Sequence, residues 1–413
     1  MKLSHKQQRR VTLGCENFLE NHLDLVRGKR AGLVTNPTGV DSKLQSLIDL
    51  FYKNPDIDLV ALYGPEHGLR GNAHAGEYVP FYVDEKYNLP VFSLYGQSLA
   101  PDAGTLRDID AHMRAFDTVA EGKLPERSMI EGVDVLVFDI QDVGTRIYTY
   151  VATMAYCMQV CAHYDLEFIV LDRPNSINGK DVEGPILEYP EFSSFVGLYP
   201  IPVRHGMTIG ELAQLFNNQF LTRSANLKVI PMRGWKRELW YDQLSLPWVA
   251  PSPNMPTLRT ATVYPGQVFL EGTNISEGRG TMKPFELFGA PWIDGNILEK
   301  DLNRLHLPGV KFKGEQFKPA FSKYEGEICR GIQIQVVDRN SYKPFEVALH
   351  IIKAIKNRYP QQFQFHTDYF DKIMGTASVR QVIEKGEKIE KISKGHQSQL
   401  DAFAKLRKSY FLY

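Results

Sequence analysis

The sequence lacks an excess of charge of either sign. Lys and Arg together number 48, as do Asp and Glu, so the formal net charge of the 413 residues is zero. Proteins that bind nucleic acid or a membrane surface electrostatically carry a basic excess, and the sequence therefore predicts no nucleic-acid partner. No apolar run reaches the roughly 18 residues that a membrane-spanning helix needs, so no membrane span is predicted either.

Signatures of nucleotide cofactors and of common catalytic sites are also missing. The chain contains no GxGxxG or GK[ST] loop and no HExxH, CxxC or GxSxG, so we predict no bound dinucleotide or nucleoside triphosphate. The cysteines are few, namely Cys15, Cys157, Cys161 and Cys329. We interpret Cys157 and Cys161, four residues apart, as small buried hydrophobic residues, because a metal pair would need further ligands that the sequence does not mark.

Strand and helix patterns alternate regularly in the first half of the sequence. Apolar runs such as DLVALYG (58–64) and VDVLVFDI (133–140) alternate with helical spacings such as SKLQSLIDLFYK (42–53). This alternation predicts βαβ units and a parallel sheet covered by helices on both faces. Further strands are predicted at 30–36, 166–172 and 227–232, and further helices at 145–164 and 209–219.

The character of the sequence changes near residue 246. LPWVAPSPNMP is rich in proline and lacks periodicity, which indicates a linker or a loop over a cleft. Beyond it, GVKFKGEQF and GIQIQVV favour strands, whereas FEVALHIIKAIKNRY and HQSQLDAFAKLRKSY favour helices. Because 413 residues are too many for one ordinary core, we predict two domains: an α/β domain over 1–245 and a smaller α+β domain over 246–413 that contributes to the cleft.

Polar side chains gather directly after four of the predicted strands. Open parallel sheets bind ligands beyond the carboxyl ends of their strands, so this coincidence predicts an active cleft. The candidate site residues at these strand ends are Asn36, Glu66, His67, Arg70, Asp139, Gln141, Asp142, Arg146, Asp172, Arg173 and Asn175. Each of these residue types is also typical of turns and helix caps, and only their concentration at one edge favours a site.

The turn YGPEHGLRG places a carboxylate, an imidazole and a guanidinium at one such strand end. A carboxyl group held among prolyl and glycyl backbone and apolar neighbours can have its pKa raised by desolvation and serve as a general acid. Glu66 is therefore a candidate acid, and His67 a candidate partner that orients it. Arg70, Arg146 and Arg173 can bind a substrate carboxylate through two parallel hydrogen bonds, with a structural ion pair to a nearby aspartate as the alternative for each.

A second polar segment, EGTNISEGRGT (271–281), combines three glycines with two acids and one arginine. Glycines allow the backbone to approach a ligand closely, which favours a binding loop. Its candidate substrate contacts are Asn274, Glu277 and Arg279, and His205 is a further candidate in the segment VRHGMTIGEL.

The chain as a whole closely resembles the exo-β-N-acetylmuramidase family of the NamZ type, glycoside hydrolases that were long a domain of unknown function. The motifs that carry the resemblance follow one another as GLVTNPTGVD, YGPEHGLRG, VDVLVFDIQDVGTRIYTY, LDRPNSING, VRHGMTIGEL, PSPNMP and EGTNISEGRGT. The resemblance spans residues 12–413. It implies removal of a terminal β-linked N-acetylmuramic acid from the non-reducing end of peptidoglycan fragments, a Rossmann-like catalytic domain with a parallel sheet flanked by helices, a smaller C-terminal domain, an intervening cleft, and no cofactor or metal.

Glu66 matches the glutamate of the family's PEHG motif, so we expect it to be the catalytic acid, with His67 and Asp142 completing the catalytic set. N-acetylmuramic acid carries a lactyl carboxylate, and a cation must therefore face the sugar. The candidates for this cation are Arg70, Arg146 and Arg279. The second catalytic group is left open among Asp139, Asp142, Glu211, Glu277 and the 2-acetamido group of the substrate, because sequence does not give the carboxyl separation that decides the stereochemical outcome.

Two other functions remain open from the sequence. A two-domain cleft also suits a non-catalytic protein that binds peptidoglycan or another sugar. Asp139, Asp142, Asp172 and His205 are residue types that can hold the cation of a metal-dependent hydrolase.

The sequence also bears on cellular location, on protein partners and on the role of the segment 107–132. The substrate of the family favours a periplasmic or secreted protein, although the N-terminal segment MKLSHKQQRRVTLG has no apolar core of a signal peptide. No obligate protein partner is predicted. The segment 107–132 has a helical pattern and is longer than a strand connection needs, so it either shapes a rim of the cleft or is a surface insertion.

Overall fold

The computed structural model describes residues 10–95 and 129–413. The strands are β1 Arg30–Thr35, β2 Asp58–Gly64, β3 Tyr82–Asp84, β4 Leu89–Ser93, β5 Val135–Asp139, β6 Glu167–Leu171, β7 Glu183–Ile186, β8 Pro202–Arg204, β9 Asn226–Ile230, β10 Leu287–Ala290, β11 Val310–Phe317 and β12 Cys329–Val336. The helices are α1 Gly14–Asn21, α2 Leu47–Tyr52, α3 Tyr150–His163, α4 Ile209–Gln219, α5 Leu258–Gln267, α6 Gly295–Asn303, α7 Pro344–Arg358, α8 Thr367–Met374, α9 Ser378–Glu384 and α10 Glu390–Leu406.

A seven-stranded sheet with the order β3-β4-β2-β1-β5-β6-β9 forms the centre of the first part of the chain. All neighbouring strands are parallel except β3 and β4 at one edge. Side chains alternate between two apolar layers, as the two-residue period of a strand requires. In β5, Val135 and Val137 pack with α1 and α2, whereas Leu136 and Phe138 pack with α3 and α4. The predicted parallel sheet with helices on both faces is confirmed.

The chain reverses direction across this sheet between β1 and β5, where an open parallel sheet usually binds its ligand. Here that crevice is filled. Leu246, Pro247 and Val249, from the proline-rich segment, close it and leave a cavity of about 10 Å³, which is about the space of one water molecule. Any larger ligand must therefore bind elsewhere.

The second part of the chain contains a three-stranded antiparallel sheet with the order β10-β12-β11, surrounded by helices. The strands and helices predicted there from GVKFKGEQF, GIQIQVV, FEVALHIIKAIKNRY and HQSQLDAFAKLRKSY are all present. Residues 246–257 contain no helix or strand, as predicted. The elements α5, α6, α8, α9 and β10 in this part, and α1, β3, β4, β7 and β8 in the first part, had not been predicted from the sequence. Residues 107–128 of the predicted helical segment lie outside the described residues. Among the helices that are described, none has both the length and the apolar character needed to cross a membrane.

Arg146 joins the two parts of the chain. Its buried guanidinium donates hydrogen bonds to the carbonyls of Pro185 and Ile201 at 3.1 and 3.0 Å, and to those of Ile373 and Met374 at 2.9 and 2.8 Å. The last two carbonyls belong to the final turn of α8, where the helix dipole favours a cation. Gly375 follows in a left-handed conformation, and a Cβ there would lie 2.8 Å from the Arg146 guanidinium. Arg146 thus has a structural role, since it connects the two parts of the chain, and it is not a contact for the sugar.

We expect Arg146→Met to lower the free energy of unfolding by about 3 kcal/mol or more, because four buried carbonyls lose their donor. Urea unfolding followed by circular dichroism measures this loss. Arg27→Met is the matched control, since Arg27 pairs with Asp56 at the surface, where water screens an ion pair and its effect on stability is small. Equal stability losses in the two variants would contradict the role given to Arg146.

Candidate active site

Glu66 lies in a tight turn at the carboxyl end of β2. Gly64 ends the strand, and a Cβ at this position would lie 2.5 Å from the backbone nitrogen of Leu69, so the chain can fold back closely only with glycine there. His67 and Gly68 both have positive φ, 73° and 75°, and left-handed backbone at a residue other than glycine is a strain that clusters at functional sites. The turn holds Leu69 in the core and leaves Glu66 partly exposed.

Two donors fix the carboxylate of Glu66. The backbone N–H of Gly76 donates to Oε1 at 3.2 Å, and the hydroxyl of Thr149 donates to Oε2 at 2.7 Å. His67 acts on the same loop, because its Nδ1 lies 2.9 Å from the carbonyl oxygen of Ala73. His67 therefore contacts the backbone of the loop that follows Glu66, and the partners of the Glu66 carboxylate in the described structure are Gly76 and Thr149 and not His67 as the sequence had suggested.

The buried Tyr148 and the partly buried Tyr369 lie within electrostatic range of Glu66. Burial raises the pKa of Tyr148, and the charges of Asp142 and Glu66 raise it further, so this hydroxyl remains a hydrogen-bond donor. The pKa of Tyr369 is raised by burial and then by the charges of Glu271 and Glu66. Tyr369 lies on α8 and its hydroxyl donates to Glu271 Oε2 at 3.0 Å. The tyrosines thus connect the Glu66 turn to the second part of the chain.

A cavity of about 360 Å³ lies between the two parts of the chain, within the range of about 300–1,000 Å³ that is common for small-molecule sites. Glu66 itself does not line this cavity, but Gly76, which donates to its carboxylate, directly follows the lining residue Ala75. The loop that holds Glu66 forms one wall of this cavity, and the EGTNISEGRGT segment with residues 321–323 forms another. The lining residues are His74, Ala75, Asn254, Glu271, Glu277, Arg279, Phe321, Ser322 and Lys323.

Two cations and two carboxylates face each other in this cavity. Arg279 donates from Nε and Nη2 to Glu271 Oε1 at 3.2 and 2.5 Å, and its Nε lies 3.2 Å from Glu277 Oε1. Lys323 lies 3.2 Å from Glu277 Oε2 and donates to three backbone carbonyls. The Nη1 group of Arg279 has no hydrogen-bond partner in the described part of the chain. Burial lowers the pKa of Arg279, but the charges of Glu271 and Glu277 outweigh this effect and raise it overall, so the guanidinium stays charged.

Asp142 has one free oxygen in a buried position. Its Oδ2 accepts a hydrogen bond from the Gly144 N–H at 2.6 Å, whereas Oδ1 has no partner among residues 10–95 and 129–413. His205 Nε2 lies 3.4 Å from Oδ2. Because the Met207 N–H donates to His205 Nδ1 at 3.2 Å, the proton of the neutral imidazole is on Nε2, which faces Asp142. The structure therefore brings Asp142 and His205 together, and Tyr148 lies close enough to feel the charges of both Asp142 and Glu66.

Several predicted substrate contacts have structural partners instead. Asp139 and Arg173 form a fully buried pair, with Nε–Oδ1 and Nη2–Oδ2 distances of 2.6 and 2.7 Å. Asp172, whose pKa burial raises to about 7, accepts hydrogen bonds from the Gly210 N–H and the Tyr413 hydroxyl. These groups support the carboxyl ends of β5 and β6, and they do not line the cavity.

The remaining predicted contacts hold loops in place. The amide of Asn36 bonds to Thr38 and Pro251, that of Gln141 to Asp142 and Pro174, that of Asn175 to Ile177 and Met207, and that of Asn274 to Gln362 and Gln364. Arg70 pairs with Asp84 and is half exposed, and Glu211 pairs with Arg237 beneath α4. Of the predicted substrate contacts, Glu277 and Arg279 line the cavity.

The proposed metal ligands do not converge. Asp139 is occupied by Arg173, Asp172 binds the first turn of α4, and Asp142 lies near His205 alone. Within the described ranges no group of three or more His, Cys, Asp or Glu side chains is placed to hold a metal ion. Cys157 and Cys161 are buried thiols, as interpreted from the sequence, and burial raises the pKa of Cys157 to about 12.

Sequence reasoning missed several residues of the cavity. Glu271 and Asn254 lie within motifs that the sequence analysis singled out, EGTNISEGRGT and PSPNMP, so their neighbours in the sequence did point to them. His74, Phe321 and Lys323 lie in segments with no distinguishing pattern. Only the approach of the two parts of the chain brings these three residues to the cavity.

Comparisons with known proteins match this architecture over its whole length. A family model for the N-terminal domain of exo-β-N-acetylmuramidase NamZ matches residues 31–120 and 111–259, and the model for its C-terminal domain matches residues 262–413. A curated relative, the peptidoglycan β-N-acetylmuramidase NamZ of Bacillus subtilis (strain 168), is 48% identical over 405 residues, which cover 98% of this chain and 92% of the relative.

Two solved structures share the fold. Both are DUF1343 family proteins of Bacteroides fragilis NCTC 9343, with TM-scores of 0.85 and 0.73 and sequence identities of 36% and 29%. In each comparison 98% of this chain and 99% of the other chain are covered. The match of both family models and the identity to the curated relative show that the chain belongs to the exo-β-N-acetylmuramidase NamZ family.

Proposed function

We propose that this chain is an exo-acting glycoside hydrolase that releases terminal β-N-acetylmuramic acid from the non-reducing end of peptidoglycan fragments, with Glu66 as the general acid. Family membership supports the reaction. The observation that carries the assignment of the acid is that the carboxyl group of Glu66 accepts hydrogen bonds from Thr149 and from Gly76, the residue next to Ala75 in the cavity wall. A general acid must reach the glycosidic oxygen with a fixed geometry, and two hydrogen bonds to the carboxyl group supply that fixed geometry.

Arg279 provides the cation that the lactyl carboxylate of the sugar requires. The other two arginines considered from the sequence are occupied, Arg146 by four carbonyls and Arg70 by Asp84. Arg279 lines the cavity and keeps Nη1 free of partners within the described structure. Glu271 and Glu277 hold the guanidinium in place, so little side-chain entropy is lost when the lactyl group binds.

Asp142 is the second carboxylate. The other candidate carboxylates form ion pairs within the protein: Asp139 with Arg173, Glu211 with Arg237, and Glu277 with Arg279 and Lys323. Asp142 retains an unpartnered oxygen among the described residues and acts on the same tyrosine, Tyr148, as Glu66 does. His205 Nε2 lies 3.4 Å from Asp142 Oδ2 and makes no hydrogen bond within the described residues.

We expect Glu66→Gln to lower kcat on a muramic acid–glucosamine disaccharide by about 10²-fold or more, the loss typical of a general acid. The loss should be smaller on a p-nitrophenyl β-N-acetylmuraminide, because that leaving group needs little protonation. Release of N-acetylmuramic acid from both substrates measures the effect, and a thermal melt checks folding.

Glu85→Gln serves as the control for this substitution, since Glu85 is an exposed acid on the β3–β4 turn. Wild-type rates in folded Glu66→Gln would exclude Glu66 as the acid. A folded wild-type protein that releases no N-acetylmuramic acid from either substrate would overturn the proposed reaction itself.

Asp142→Asn should also lower kcat by about 10²-fold or more on both substrates, because a nucleophile or base is needed whatever the leaving group. Proton NMR of the first-formed wild-type product then assigns its role. The β-anomer indicates retention, with Asp142 as nucleophile or as the group that orients the acetamide, and the α-anomer indicates inversion through a water molecule. Unchanged turnover in the Asn variant would remove Asp142 from the mechanism.

Arg279→Lys should reduce the preference for a free lactyl carboxylate. In the wild type, we expect the aryl N-acetylmuraminide to be cleaved with a kcat/KM about 10- to 100-fold above that of its lactyl methyl ester, the difference expected of one charge-assisted hydrogen bond. In the variant this ratio should approach one, because lysine keeps the charge but lacks the free Nη1 donors. A ratio that stays at the wild-type value, even with both rates lowered, would assign Arg279 to structure alone.

A further inference from the structure

The mouth of the cavity carries an aromatic pair that the mechanism above does not use. His74 comes from the loop that holds Glu66, and Phe321 comes from the loop between β11 and β12. Their ring centroids are 5.1 Å apart with an interplanar angle of 58°, and both side chains line the cavity. The pair therefore spans the cleft, with one ring contributed by each part of the chain.

Backbone contacts constrain the loop that contains Phe321. Gly280 leaves room for it, since a Cβ there would lie 2.6 and 2.7 Å from the carbonyl oxygen and nitrogen of Phe321. The backbone N–H of Ala320 donates to the Gly280 carbonyl at 2.9 Å. Ser322 and Tyr324 both have positive φ, 73° and 59°, a strain that is costly at residues other than glycine and that clusters at ligand sites. Such a loop presents Phe321 in a fixed position although the residue is 37% exposed.

The charged residues that line the cavity are more buried than the two aromatic ones. The side chain of Glu277 is 2% exposed and those of Arg279 and Lys323 are 19% and 24% exposed, whereas His74 and Phe321 are exposed, so the aromatic pair marks the solvent side of the cavity. An exo-acting enzyme keeps the terminal sugar at the closed end of its site, and the remainder of the saccharide leaves through the mouth. The charged end thus suits the muramic acid, and the aromatic end suits the sugar attached to it.

From this arrangement we propose that Phe321 and His74 form the binding site for the leaving sugar, the hexosamine that is β-linked to the terminal N-acetylmuramic acid. The inference rests on the proposed function. A pyranose ring presents apolar C–H groups on its faces, and these pack against an aromatic ring. A hydrogen bond within the loop fixes the backbone of His74, because its N–H donates to Glu77 Oε2 at 2.7 Å. The same loop contains Gly76, whose N–H donates to Glu66. One loop therefore positions both the acid and the histidine that contacts the leaving sugar.

The test compares a substrate with a leaving sugar and a substrate without one. Phe321→Ala should lower kcat/KM on the muramic acid–glucosamine disaccharide about five- to tenfold, the loss expected of one aromatic contact. Hydrolysis of β-N-acetylmuramyl fluoride, which has no leaving sugar, should stay at the wild-type rate. Inhibition by free N-acetylglucosamine should weaken in parallel, whereas inhibition by free N-acetylmuramic acid should not. Phe321→Tyr, which keeps the ring, should restore the disaccharide rate.

Phe81→Ala is the matched control, since Phe81 is an exposed aromatic residue that does not line the cavity, and it should leave both substrates unaffected. Equal losses on the fluoride and the disaccharide would show that Phe321 supports the cleft as a whole and would overturn the proposal. Unchanged kinetics on the disaccharide would overturn it as well. Because wild-type activity on the fluoride is measured in the same experiment, failure of the reaction itself is recognised separately.

Discussion

The geometry of the site depends on the buried guanidinium of Arg146. It binds two carbonyls near β7 and β8 and the two carbonyls that end α8. Three residues after it, Thr149 holds Glu66, and on α8 itself Tyr369 holds Glu271. A charge removed from water is costly unless it is hydrogen-bonded, and here four carbonyls accept from the two terminal nitrogens of the guanidinium, whereas its buried Nε has no partner in the described part of the chain. Arg146 thus ties together segments on both sides of the cleft without lining the cavity.

The fold also moves the site away from the position that is usual for its sheet. At the reversal between β1 and β5, the buried pair of Asp139 and Arg173 and the side chains of Leu246, Pro247 and Val249 fill the crevice. The open space lies instead beyond β2, between the Glu66 turn and the EGTNISEGRGT loop. Its lining combines Glu271, Glu277, Arg279 and Lys323 with the rings of His74 and Phe321. This combination of charged and aromatic side chains is the basis of the two sugar-binding roles proposed above.

The sequence predicted the central sheet and the Glu66 turn well, because both depend on local patterns. DLVALYG reads as a strand from Asp58 to Gly64, and it has these bounds in the structure. In contrast, the sequence predicted the partners of charged side chains poorly. An arginine in a polar loop has the same local pattern whether it binds a substrate, as proposed for Arg279, or binds backbone carbonyls, as Arg146 does.

The sequence by itself determined the parallel sheet, the turn that carries Glu66, and the family, since hydrophobic period, glycine and proline positions and ordered motifs are properties of short segments. The tertiary structure alone decided which polar side chains face open space. Lys323, Phe321 and Tyr369 reach the site from loops and a helix far along the chain from Glu66. Their positions follow from how the two parts of the chain pack against each other, and packing between distant segments leaves no periodic signal in a single sequence.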